Sequence, residues 1–146
     1  MLNEDFKVTG NVCIEVRGAD GEIKDKREIK NLIVTVGRNF IASRMVGAAQ
    51  NVMSHMALGS GNTAPIVANT TLASELGRTP LTSSTAVNNV ISYVGNFGPG
   101  VGTGAVTEAG IFNAGSAGNM LCRTTFSLIN KGVSDTMSIT WAVTVN

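Results

Sequence analysis

The sequence predicts a mainly β, single-domain sandwich of jelly-roll type, with about eight strands and one short helix. Three observations predict it: segments in which apolar and polar residues alternate, glycine-rich turns between them, and one segment with a helical period. The clearest alternation covers residues 136–145, where every second residue is large and apolar and the others are small. A chain of 146 residues is long enough for one domain with its own core.

The N-terminal third is predicted to form an arm followed by a charged β-ribbon. Residues 1–10 show no clear periodicity and are predicted to be the arm. Residues 11–33 are predicted to be the ribbon, because alternating segments flank a turn at residues 18–21 that contains Gly, Ala and Asp. A two-stranded ribbon is marginal alone, so it is expected to pack on the rest of the domain, which spans residues 11–146.

The next segment, residues 35–46, changes to a helical period, with Thr35 as the expected N-cap. Its apolar side is formed by Val36, Phe40, Ile41 and Met45. Six further strands are predicted at residues 54–58, 77–84, 87–97, 105–113, 120–129 and 136–145. Residues 63–76 are predicted to be a long connection with one helical turn near its end, and Trp141 is predicted to lie in the core.

Charge is distributed very unevenly along the chain. Fifteen of the 21 charged residues lie in the first 44 positions. The other six are Glu75, Arg78, Glu108, Arg123, Lys131 and Asp135. A surface with so little charge favours packing against copies of the same chain or against a scaffold, so a homodimer or homotrimer is expected. The net charge of +1 gives no electrostatic reason to expect nucleic acid or a membrane as a partner.

Signals of enzyme chemistry are weak, and no enzyme activity, metal or cofactor is expected. The glycines of residues 98–104 fall at every second position and lack the Lys of a phosphate-binding loop. His55 is the only histidine, and no cluster of His and Cys surrounds it. Cys13 and Cys122 are predicted to be reduced and buried, as expected for a protein made in a cytoplasm, although the spacing alone leaves a disulfide open.

Two isolated charges suggest a specific contact. Glu108 and Arg123 flank the turn at residues 114–119, so they are expected to meet across a hairpin or to contact a neighbouring subunit. The register of that hairpin decides between the alternatives, since a slip of one residue puts the two side chains on opposite faces. With His55, they are the candidate subunit contacts: His55, Glu108 and Arg123.

Several segments resemble small virion proteins of tailed bacteriophages. They are residues 31–37 (NLIVTVG), 53–59 (MSHMALG), 107–113 (TEAGIFN), 120–124 (MLCRT), 130–132 (NKG) and 139–141 (ITW). The resemblance implies a capsid decoration (cement) protein that binds the outside of an HK97-type icosahedral shell as an oligomer and bridges capsomers. It also implies the major capsid protein as partner, the capsid exterior of the virion as location, and synthesis in the host bacterial cytoplasm.

Two other functions fit parts of this pattern. Related sequences are also described as tail-fibre proteins, so a tail or tail-fibre component is the alternative. An unrelated adhesive or carbohydrate-binding domain is less well supported, because such sites use exposed aromatic residues and the chain has one Trp and one Tyr.

The candidate capsid contacts lie in the arm and the ribbon, where the charge is concentrated. The ribbon alternates in sign, so it is either an ordinary solvated ribbon or a docking surface whose charges set the register. The candidates are Phe6, Lys7, Arg17, Lys24, Lys26, Arg27 and Lys30.

Overall fold

The computed structural model describes residues 4, 6–47 and 50–146. Within these residues the chain forms nine β-strands and one α-helix, which confirms the predicted mainly β, single-domain class with one helix. The elements are β1 (Val8–Arg17), β2 (Ile23–Lys30), β3 (Leu32–Ile33), α1 (Thr35–Met45), β4 (His55–Gly59), β5 (Glu75–Val87), β6 (Val90–Phe97), β7 (Gly104–Phe112), β8 (Met120–Lys131) and β9 (Thr136–Val145).

The nine strands form one antiparallel sheet in the order β2-β1-β9-β6-β5-β4-β7-β8-β3, folded into two layers. Strand β5 belongs to both layers, because its first half pairs with β4 and its second half, from Leu81, pairs with β6. Pro80 lies at this change of partner, where a missing backbone N–H is tolerated. We call β2, β1, β9, β6 and the second half of β5 sheet A, and the remaining strands sheet B.

The sheet nearly closes on itself at its other side, where β2 faces β8. The Arg27 guanidinium donates to the Ser127 carbonyl (3.1 Å), and the Thr124 hydroxyl donates to the Lys30 carbonyl (2.8 Å). Side chains therefore close the opening between two strand edges that are not paired with each other, which protects these edges from pairing with other chains.

The main core lies between the two layers and follows the predicted alternation. In β9 the inward residues Met137, Ile139, Trp141 and Val143 are buried, as predicted for Trp141. Strand β1 adds Val12, Ile14 and Val16, and Phe40 of α1 packs into the same cluster. The alternation was informative here because each strand has one face in the core.

A second apolar cluster lies on the opposite, outer face of sheet B. It consists of Val34, Ala57, Leu72, Phe112 and Met120. Leu72 comes from the long connection at residues 60–74, which crosses this face and covers it. Sheet B is therefore covered on both sides.

Parts of the predicted helix and connection were wrong. The N-cap residue is Val34 and makes no side-chain cap, while the Thr35 N–H donates to the Val67 carbonyl (2.8 Å). Met45 is 85% exposed, because it ends a helix that extends beyond the core. The predicted helical turn before residue 76 is absent from the structure, which has bends there and begins β5 at Glu75.

The predicted arm was too long at its C-terminal end. Strand β1 begins at Val8, and Val8, Thr9 and Gly10 pair with Val145, Thr144 and Val143 of β9. The sequence obscured this because Thr9 and Gly10 interrupt the apolar alternation. Residues 1–3 and 5 of the predicted arm lie outside the described residues.

Candidate interaction surfaces

The outer face of sheet A is uncovered and largely uncharged. Each of its strands turns alternate side chains outward, and the pairing aligns Cys13, Thr140 and Val94 as one row across it. The outward residues of β9, β6 and the second half of β5 are Thr136, Ser138, Thr140, Ala142, Thr144, Val90, Ser92, Val94, Asn96, Ser83, Thr85 and Val87. None of them is charged, whereas a solvent-facing sheet normally carries Lys, Glu or Arg.

The size of this face matches that of a protein–protein interface. Five strands at a spacing of about 4.8 Å and strands of about ten residues at 3.4 Å each give about 24 Å by 34 Å, or about 800 Å². Each partner in a standard specific interface contributes about 800 Å². The face is therefore large enough to hold a stable partner by itself.

Charged side chains lie along the β2 margin of this face. Lys26, Glu28 and Lys30 alternate in sign and are exposed, and Lys26 pairs in register with Glu15 of β1. A charged margin beside an uncharged centre is the usual arrangement of a binding surface, in which margin charges set orientation. Lys26 and Lys30 are thus the candidate capsid contacts that this face presents outside the ion pairs of the described residues, and Arg17, opposite Thr136 of β9, also lies on this face.

Three other candidate capsid contacts use their charge within the chain. Arg17 contacts Glu15 (2.7 Å), and Lys24 contacts Asp135 (2.8 Å). Arg27 lies on the inward side of β2, where it pairs with Asp25 (3.0 Å) and also reaches β8. Their role in docking stays a prediction, but their first role in the structure is to hold the ribbon in place. Phe6 and Lys7 line a cleft at one end of the molecule, described below.

The prediction that Glu108 and Arg123 contact another subunit was wrong. Their side chains are 0% and 1% exposed, and Arg123 Nε donates to Glu108 Oε1 (3.1 Å). The two residues are diagonal neighbours across the β7–β8 hairpin, since Arg123 lies opposite Gly110 and Glu108 lies opposite Thr125. The alternative of a contact within the hairpin is the one that the structure has.

This buried pair anchors the connection that covers sheet B. Glu108 accepts hydrogen bonds from the backbone N–H groups of Gly61 (2.6 Å), Ala73 (2.8 Å) and Ser74 (2.8 Å). Arg123 also donates to Asn69 Oδ1 (3.1 Å). The close approach requires glycine at position 61, because a Cβ there would lie 2.3 Å from Glu108 Oε2. The pair is thus structural, because it holds the connection over the outer face of sheet B.

His55, the third candidate subunit contact, lies at the start of β4 and is half-buried, with Nδ1 2.8 Å from Ser54 Oγ. Its subunit contact stays a prediction.

The sequence did not single out Arg78, whose guanidinium lies 3.9 Å from the centre of the Phe112 ring and donates to the carbonyls of Ala114 and Ala117. Arg78 therefore holds the turn after β7. No motif pointed to this role, because its partners are backbone atoms.

Lys24, Lys131 and Asp135 form a cluster at the turn between β8 and β9. Lys131 is buried and its Nζ donates to the carbonyls of Gly98 (2.9 Å) and Asp135 (2.7 Å). Asp135 accepts from Lys24 Nζ and from the Gly132 N–H (2.7 Å). These two hydrogen bonds, Lys24 first, lower the pKa of Asp135 below its usual 3.8, and burial lowers the pKa of Lys131.

Acid is expected to destabilise the protein partly through Asp135. A carboxyl with a lowered pKa in the folded state contributes stability above its unfolded pKa, and the contribution is lost as the pH falls through the folded pKa. The variant Asp135→Asn should therefore melt at a lower temperature than the wild type at pH 7. The difference between the two melting temperatures should begin to narrow below pH 3.8 and disappear once the pH is below the lowered pKa of Asp135 in the folded protein. A melting-temperature difference between Asp135→Asn and the wild type that is the same at pH 7 and well below pH 3.8, measured by circular dichroism, would contradict this assignment.

The thiols are free and one of them is not where it was predicted. Cys122 is buried, and burial raises its pKa, so it is an unreactive thiol. Cys13 is only half-buried, contrary to prediction, because it points outward from sheet A.

Burial also raises the pKa of Tyr93 to about 12. In the described ranges, His, Cys, Asp and Glu side chains nowhere form a group of three that suits a metal ion.

Comparison of the chain with protein-family models, with curated proteins and with solved structures finds no match. Among the residues that the structure describes, no helix combines the length and the apolar character needed to cross a membrane.

Proposed function

We propose that this protein is a virion structural protein that decorates and cements the outer surface of an icosahedral HK97-type phage capsid. It binds the major capsid protein through the outer face of sheet A and bridges capsomers. The observation that carries the proposal is the contrast between the two layers. Sheet B is covered by residues 60–74 on its outer side, whereas sheet A presents an open face of about 800 Å², on which β9, β6 and the second half of β5 turn no charged side chain outward.

A cement protein needs buried contact area and many copies rather than catalytic groups. The uncharged centre of sheet A supplies the area, and the alternating charges of Lys26, Glu28 and Lys30 supply register along one margin. Repetition over a capsid lattice then turns a moderate single-site affinity into tight attachment. Two of the segments that resemble phage virion proteins, residues 53–59 and 107–113, lie mostly in strands β4 and β7 of the covered sheet B. The resemblance in these two segments therefore concerns the fold rather than the proposed contact face.

The centre of the proposed contact face can be tested with Thr140→Arg. Thr140 is exposed in the middle strand, so the arginine is accommodated in the free protein but is buried without a partner on docking. Truncating or mispairing a buried charge at an interface costs about 2–5 kcal/mol, so attachment should weaken at least tenfold. The measurement is co-sedimentation with undecorated capsids.

The matched control is Thr71→Arg, which makes the same change at an exposed position of the connection over sheet B. It should decorate capsids like the wild type. Cryo-electron microscopy of intact virions tests the location independently. Wild-type attachment by Thr140→Arg, or localisation of the protein to the tail, would overturn the proposal in favour of another face or of the tail alternative.

A further inference from the structure

A basic cleft lies at the end of the sandwich where β1 begins and α1 packs. Its volume is about 490 Å³, and it is lined by Phe6, Lys7, Val8, Thr9, Arg38 and Ile41. A neighbouring hollow of about 290 Å³ shares Arg38 and adds Lys30. The side chains thus combine an apolar lining, with Phe6 69% exposed, and three cationic groups.

The cationic groups of this cleft lie outside the ion pairs of the described residues. Of the ion pairs among the described residues, none includes Lys7, Lys30 or Arg38. Three cations that lie outside these ion pairs, beside exposed apolar surface, favour a ligand that carries both carboxylates and an apolar side chain.

The opposite end of the molecule carries a group with that chemistry. The tip of the β1–β2 hairpin, residues 18–22, presents Asp20 and Glu22, both exposed and both outside the ion pairs of the described residues. Ile23, which follows immediately, is 50% exposed. We call residues 18–23 the acidic tip.

The acidic tip is preformed rather than flexible. Asp20 Oδ1 accepts from the Glu22 N–H (3.0 Å), and the Gly18 N–H donates to the Glu22 carbonyl (3.0 Å). Gly21 has φ +82°, a value that glycine adopts without strain. A rigid tip loses little conformational entropy when it binds, which favours its use as an insertion element.

The tip and the cleft of one molecule cannot meet. They lie at opposite ends of β1, whose ten residues separate them by about 30 Å. We propose that the acidic tip of one copy docks in the basic cleft of a second copy. Such a contact joins two different surfaces, so it links copies head to tail into rings or chains rather than into a closed two-fold dimer. The proposal concerns the isolated protein and does not rest on the capsid assignment, because the residues that are changed to test it, Lys7, Arg38, Asp20 and Glu22, lie outside the strands of sheet A.

Charge reversal on each side separates this contact from others. The cleft variant is Lys7→Glu with Arg38→Glu, and the tip variant is Asp20→Lys with Glu22→Lys. In the cleft variant an acidic cleft meets an acidic tip, and in the tip variant a basic cleft meets a basic tip. Each variant alone should therefore self-associate at least tenfold more weakly than the wild type, while an equimolar mixture should co-assemble.

The experiment is sedimentation velocity at low ionic strength, with folding checked by circular dichroism. Lys26→Glu, which changes the same charge on the side of the sheet, is the matched control and should associate like the wild type. Because Asp20 also supports the turn, Glu22→Lys alone provides a tip variant that keeps the Asp20 hydrogen bond. Salt at about 0.5 M, roughly three times the physiological ionic strength, should screen these charges and weaken wild-type association.

The outcomes decide the proposal in either direction. Weak association of each variant and recovery in the mixture would support it. A wild type that stays monomeric at about 1 mM, variants that associate like the wild type, or a mixture that stays monomeric would each overturn it. A defect in the cleft variant without one in the tip variants would also overturn it, because a segment of the second copy other than the acidic tip would then occupy the cleft.

Discussion

Replacing Glu108 by alanine is expected to lower the free energy of unfolding by about 3–5 kcal/mol, because it leaves the buried Arg123 guanidinium without its counter-ion. The change also removes the acceptor of three backbone N–H groups, those of Gly61, Ala73 and Ser74. A domain of this size is stable by about 5–15 kcal/mol, so the loss is a large part of the total. Urea unfolding followed by circular dichroism measures it.

Two further variants separate the parts of this effect. Glu28→Ala makes the same change at an exposed position outside the ion pairs of the described residues and should alter stability by less than about 0.5 kcal/mol. Adding Arg123→Met to Glu108→Ala removes the orphaned charge and should recover part of the loss. If the single variant loses less than about 1 kcal/mol, the pair does not anchor the connection as argued.

The anchor has a second, local readout. The connection over sheet B is held at Gly61, Asn69 and residues 73–74 by the two buried side chains. Its release in Glu108→Ala should increase proteolysis within residues 60–74 before global unfolding. It should also expose the outer cluster formed by Leu72, Phe112 and their neighbours, so the variant should bind a hydrophobic dye more strongly than Glu28→Ala.

The strands that the sequence located best are those with one face in the core. Strand β9 occupies the predicted residues, Thr136–Val145, because its apolar and polar residues alternate without interruption. Strand β5 was predicted too short, since it has exposed ends and changes partner near Pro80, so no single period runs through it. Alternation reports burial, and it fails where a strand is not half-buried.

The sequence predicted the two possible fates of Glu108 and Arg123 but not the choice between them. The register of β7 and β8 shifts between Val106 and Glu108, and no local sequence pattern marks this irregularity. The sequence likewise did not predict that residues 60–74 cover sheet B, because this depends on contacts between residues that lie 34 or more positions apart.

The charged ribbon was predicted at residues 11–33, but its strands are Val8–Arg17 and Ile23–Lys30, and Leu32–Ile33 pairs with β8 instead. Its charges divide in a way that only the strand pairing reveals. Asp25 and Arg27 point inward and close the gap between β2 and β8, whereas Lys26 and Glu28 point outward. The amino-acid composition of the ribbon does not distinguish the inward charges from the outward ones. The uncovered face of sheet A also required the three-dimensional structure, since its uncharged residues combine the β5–β6 hairpin with β9, from which β7 and β8 separate it along the chain.

Trp141→Ala is expected to cost about 3–5 kcal/mol and to shift most of the protein into the insoluble fraction on expression. Trp141 is fully buried in the middle strand of sheet A, where it lies between Val12 of β1 and Tyr93 of β6. Its indole N–H has no hydrogen-bond partner among the described residues. The loss therefore comes from the cavity and from lost apolar burial, with no broken hydrogen bond to add to it.

Because the indole N–H of Trp141 has no partner among the described residues, Trp141→Phe is the variant to compare with Trp141→Ala. Phenylalanine keeps most of the apolar volume and removes the unsatisfied N–H, so this variant should stay soluble and lose less than half of what Trp141→Ala loses. Thr140→Ala, on the exposed side of the same strand, should change stability by less than about 0.5 kcal/mol. The measurements are the soluble fraction and urea unfolding by circular dichroism, because the tryptophan itself is removed. A soluble Trp141→Ala protein with the wild-type unfolding midpoint would show that the space between the sheets refills without this side chain, and the packing described for the core would be wrong.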